Sequence, residues 1–120
     1  MQIIFLIGRI LLGGYFFYSG YNHFAHVGHL AGYTAMKKVP LPKVAVIVSG
    51  VLLVLGGAAI LVNRYAILGM CLVVLFLIPT TVMMHGFWKE KDPALRSAEQ
   101  IQFSKNIALI GALLLLISVG

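Results

Sequence analysis

YAILGMCLVVLFLIPTTVMMHGFW, residues 65–88, decides the fold. It holds no Asp, Glu, Lys or Arg. It is also longer than the roughly 20 mostly apolar residues an α-helix needs to cross a hydrocarbon core. Outward from it, residues 10–36, 44–63 and 106–120 are equally free of charge. Over all 120 residues, 61% are hydrophobic and 10% are charged, against roughly 25% charged in a soluble domain. The chain therefore reads as all-α, a four-helix transmembrane bundle forming one integral membrane domain over residues 1–120. The spans expected are residues 2–23, 43–62, 65–86 and 101–119. The fourth needs the turn around Phe103 and Lys105 to complete its crossing, with the lysine stem reaching the interface. The first has no basic n-region and no small-residue cleavage site near Tyr15 to Asn22, so it reads as a retained span, not a signal peptide.

Charge sets the expected orientation. Lys37, Lys38 and Lys43 lie in loop one and Lys89, Lys91 and Arg96 in loop three, six of the nine Lys and Arg residues. Loops one and three share a side of a four-span bundle, so the positive-inside rule places both in the cytoplasm and both termini outside. The formal charge of +6 thus marks loop anchors, not a nucleic-acid surface, and the bilayer is the partner implied. Cys71 is the single cysteine, so no internal disulfide or C-x-x-C pair is available, and a lone cysteine in an apolar run reads as packing.

Polar chemistry gathers at one end. At 100° per residue, Tyr15, Tyr18, Ser19, Asn22, His26 and His29 fall on one stripe, with Gly13, Gly20 and Arg9 on another face suited to helix packing. Arg9 reads as an interfacial anchor or packing donor. Span three contributes Pro79, Thr80, Thr81 and His85, and Trp88 follows; Thr81, His85 and Trp88 share a face by spacing. Spans one and three run in the same direction, so His23 and His85 finish at one membrane surface, the surface at which Lys105 and Asn106 begin span four. The expectation is a polar cluster between spans one, three and four. The plainer reading is an interfacial belt of Tyr, Trp and His, with Pro79 a tolerated kink. A metal set of His23, His26, His29 and His85 is the other alternative. The chain has no H-E-x-x-H or Cys/His signature, and no carboxylate is expected near these rings, which argues against zinc and against bis-histidine haem. Glu90, Asp92 and Glu99 all fall in loop three on this reading, and a proton-coupled transporter usually needs an acid inside a span. Loop one reads as a short interfacial helix followed by an extended turn at residues 39–42.

Four stretches together resemble the DoxX family: Tyr18-Ser-Gly-Tyr-Asn-His23-Phe24; Gly50 through Gly56-Gly57; Pro79-Thr-Thr with His85 and Trp88; and Phe103-Ser-Lys-Asn106 continuing to Gly111. The resemblance extends over nearly the whole chain. It implies a small subunit of the bacterial cytoplasmic membrane, similar to the membrane subunit of thiosulfate:quinone oxidoreductase and working beside redox enzymes near the quinone pool. Other membrane subunits or a second copy are the implied protein partners. Family members often carry a glutamate between the span-two glycines, and here Leu53 stands in that place. No covalently bound cofactor and no catalytic residue is expected; a quinone is the candidate ligand. It needs an apolar slot, an aromatic wall and donors to its carbonyl oxygens, which His23, His85, Lys105 and Tyr18 offer, with Asn106, Thr81 and Trp88 beside them. Without a dithiol or nucleotide fingerprint the chain is an accessory to an oxidoreductase, and its electrons come from a partner. Two other roles stay open: a purely structural subunit that assembles or anchors a complex, and a small oligomeric pore.

Overall fold

The computed structural model describes residues 2–120. Five α-helices follow in order: α1 Gln2–Ala25, α2 Val27–Met36, α3 Pro42–Val62, α4 Ala66–Met84 and α5 Pro93–Val119, with a single 3₁₀ turn at Phe87–Lys89 between the last two. Helices α1, α3, α4 and α5 are each long and apolar enough to cross a membrane. The molecule is 46 Å in its longest dimension, close to the roughly 40–45 Å of a bilayer with its headgroups. Helix α2 is the short helix expected in loop one. It follows α1 almost without interruption, through bonds such as the His26 amide to the Asn22 carbonyl at 2.9 Å.

Little distinguishes the inside of this bundle from its outside by polarity. Phe16, Leu53, Ile60, Val73, Leu77 and Leu113 form the buried core, while Ile3, Leu11, Leu68 and Leu115 are equally apolar and exposed to the surroundings. Lipid is as apolar as leucine, so close packing decides which face turns inward, and small residues permit it. The buried positions of α3 are Val46, Gly50, Leu53, Gly56, Gly57 and Ile60, a stripe with three- and four-residue steps. Those of α1 are Gly13, Phe16 and Gly20. The two helices run antiparallel with backbones nearly touching. A Cβ on Gly13 would stand 2.9 Å from the Leu61 amide nitrogen, and one on Gly20 2.7 Å from that of Val54. Gly56 meets Gly69 of α4 in the same way, its added Cβ 2.7 Å from the Gly69 carbonyl oxygen.

The fourth transmembrane helix departs from expectation. It starts at Pro93, not Ile101, and is 27 residues long. Asp92 caps it, its carboxylate accepting from the Ala94 amide at 3.2 Å, and Pro93 occupies the first turn, where a missing N–H costs nothing. Glu99 is consequently a helical residue, not a loop residue, and it is buried at 8% exposure. With Asn106 and Leu113 it makes a seven-residue-spaced inward stripe. Helix α4, in turn, ends at Met84, leaving His85 as its cap and Trp88 in the 3₁₀ turn. The expected common face of Thr81, His85 and Trp88 is broken there, because the chain no longer advances 100° per residue.

Candidate ligand-binding cavity

A cavity of about 430 Å³ lies among the helices at the end of the bundle that carries loops one and three. Its walls are mostly apolar, from Phe16, Leu53, Phe76, Leu77 and neighbours, and α2 closes one side with Leu30, Tyr33 and Thr34. Four of the expected residues line it: His23, His85, Lys105 and Asn106. His23 is fixed by a 2.7 Å contact between Nδ1 and the Ser19 carbonyl oxygen and by an edge-to-face approach to Phe76 at 5.9 Å. Lys105 is exposed on α5 and donates to the Tyr15 hydroxyl at 3.0 Å, its ammonium also 5.6 Å from the centre of that ring. Helices α1 and α5 do not pack along their length, so this bridge spans the space between them at the border of the cavity.

Asn106 is only 5% exposed and lines the cavity. Among the described residues, Nδ1 of His85 is buried without a hydrogen-bond partner. The nearest acid to it is Glu99, with Oε1 3.5 Å away, an electrostatic contact too long for a good hydrogen bond. Buried polar groups are rarely left unsatisfied, so the unpaired Nδ1 of His85, with Asn106 on the same cavity, marks the part of the wall able to hold a polar ligand.

The other expected members are elsewhere. Tyr18 is 63% exposed on the outer side of α1, where the helix turns it away from the bundle. The residues of α1 that line the cavity here are Tyr15, Ser19 and His23, in steps of four. Thr81 is buried, but its hydroxyl donates to the Leu77 carbonyl at 2.5 Å, and Thr80 takes the cavity wall instead. Trp88 packs edge to face with Phe87 and Phe103 and stays half exposed, as an interfacial aromatic does. His26 and His29 are exposed on the surface, and no group of three or more His, Cys, Asp or Glu side chains among the described residues is placed to hold a metal.

Glu99 is the residue that sequence reasoning missed. It accepts from Tyr33 Oη at 3.1 and 3.2 Å and from Lys37 Nζ at 2.7 Å, and Lys37 also donates to Glu90 at 2.8 Å. The expectation that no carboxylate stands near the histidines is overturned by the same residue. Tyr33, Lys37, Glu90, Glu99 and His85 thereby tie α2 to the α4–α5 connection beside the cavity. Burial depresses the Lys37 ammonium, but its hydrogen bonds to Glu90 and Glu99 outweigh that and hold its pKa above the ordinary lysine value. Burial, then the adjacent Glu99 charge, pushes the Tyr33 phenol up. The signal was present in Asp92-Pro93, a helix start from which Glu99, Asn106 and Leu113 fall on one line.

Leu53, where the resemblance leads one to expect a glutamate, is fully buried and lines the cavity, so this part of the wall is apolar. No curated protein and no solved structure matches the chain. The DoxX family pattern, however, matches residues 4–86, which takes in α1 through α4 with the cap residue His85 and leaves α5 outside the match. With four apolar helices long enough to span, this protein is an integral membrane protein that belongs to the DoxX family.

Proposed function

We propose that the protein is an accessory membrane subunit that docks onto a redox or respiratory partner and presents a site for a quinone-type headgroup in the 430 Å³ cavity. The observation that carries this reading is the meeting of His85, whose buried Nδ1 has no hydrogen-bond partner among the described residues, with Asn106, a buried amide, on one mostly apolar cavity. The Asn106 amide is a donor suited to a carbonyl oxygen, and Phe76 and Tyr15 supply aromatic surface. Reducing a quinone to a quinol takes two electrons and two protons. The electrons belong to the partner. Lys105 and His85 are the groups at the cavity able to exchange a proton, with Glu99 3.5 Å from His85 Nδ1.

The test uses the protein in its native membrane complex, extracted in mild detergent. A redox partner should copurify, and a quinone headgroup analogue should protect Lys105 from amine modification. His85→Ala should lower quinone-dependent activity of the assembled complex at least about tenfold, the scale of one hydrogen bond to a positioned group. A complex that assembles and keeps full activity with both His85 and Lys105 replaced would leave a structural anchoring role in place of this one.

A further inference from the structure

At the other end of the bundle lies a second cavity, of about 310 Å³. Antiparallel packing of α1 on α3 puts Arg9 there beside Asn63, and the remaining walls are apolar, among them Phe5, Leu12 and Met70. Arg9 is an intramembrane cation whose Nε is buried with no hydrogen-bond partner among the described residues. Its guanidinium sits 5.7 Å from the Phe5 ring centre. The chain has three acidic side chains, Glu90, Asp92 and Glu99, and all belong to the far end, so no side-chain carboxylate of this protein neutralises it. A cation held at this depth without a counterion is costly. We propose that the counterion is the phosphate diester of an anionic phospholipid, bound by Arg9 with an acyl chain laid in the apolar cavity.

Three features carry the assignment. A guanidinium presents a planar fork that matches two phosphate oxygens. The cavity walls are hydrocarbon apart from Arg9 and Asn63, which fits a chain-bearing ester better than a free hydrated anion. Room for the chain exists beside Gly8, where an added Cβ would meet nothing within 4 Å. Arg64, at the same end, is exposed over the Tyr65 ring at 5.8 Å and lines no part of this cavity, so it serves as a charge control.

Native mass spectrometry of the full chain, released from micelles containing equal phosphatidylglycerol and phosphatidylcholine, reads the site. One phosphatidylglycerol should be retained in preference. Arg9→Gln should weaken that retention at least about tenfold, the scale of a charged hydrogen bond, while Arg64→Gln leaves it unchanged. Gly8→Leu fills the chain's space without touching charge and should also expel the lipid. It decides the matter if Arg9→Gln fails to fold. Equal retention of the two lipids, unchanged retention in Arg9→Gln or Gly8→Leu, or displacement of the lipid by millimolar inorganic phosphate would each overturn the proposal.

Discussion

Replacing Glu99 by Gln tests whether the polar cluster holds α2 against the α4–α5 connection. The change keeps the side-chain shape and removes the charge that Lys37 meets at 2.7 Å and Tyr33 at 3.1 Å. Breaking a buried ion pair costs about 3–5 kcal/mol when the remaining charge is stranded. Lys37 is not stranded, because Glu90 stays at 2.8 Å, and the Lys37 and Glu99 side chains keep 16% and 10% exposure. The expected loss is therefore smaller, about 2 kcal/mol, the scale of one to two charged hydrogen bonds. Paired with Lys37→Met in a double-mutant cycle, it should show a coupling energy of about 1–2 kcal/mol. The assay is unfolding by a denaturing detergent in mixed micelles, followed by the fluorescence of Trp88, the single tryptophan, which lies close to the cluster in the chain. A second arm varies pH. Lys37 and Tyr33 both have raised pKa values, so the folded chain keeps protons that the unfolded chain releases. Their contribution is complete below about pH 10 and falls as pH rises through the raised folded values. Lys37→Met should flatten the lysine part of that alkaline slope. A coupling energy below about 0.3 kcal/mol, the additivity of independent sites, would refute the reasoning.

Two adjacent glycines should behave oppositely. Gly13→Ala drives a Cβ to 2.9 Å from the Leu61 backbone and should cost about 1–3 kcal/mol in the same assay, whereas Gly14→Ala meets nothing within 4 Å and should stabilise by about 0.5–1 kcal/mol through helix propensity. The topology expected from loop charge is checked by single cysteines at Gln2 and Lys91 in a Cys71→Ala background. An impermeant thiol reagent on intact cells should label Gln2→Cys and spare Lys91→Cys, and the reverse result inverts the assignment.

How many helices span and which end is polar were legible in the residues, because span length and loop charge are one-dimensional quantities, whereas the start of α5 lies at Pro93, ahead of the expected Ile101. A helix crosses hydrocarbon only if about 20 consecutive residues tolerate it, and the loops between must carry the charge. The glycine face of α1 was legible for a related reason: backbone contact between helices needs residues without a Cβ. Which face of each remaining turn looks inward was another matter. In water, burial sorts apolar from polar and leaves a periodic trace. In lipid both faces are apolar, so Tyr15 and Tyr18 look alike in the sequence, although only Tyr15 lines the cavity and meets Lys105. Glu99 was hidden for a further reason. Its partners Tyr33 and Lys37 are 66 and 62 residues away, and such a distant acid becomes a buried network member only when α2, packed on α3, brings these two side chains within reach of α5. Tertiary packing decided that contact, because a charge enters a low-dielectric site only where opposite charges and donors are already arranged to receive it.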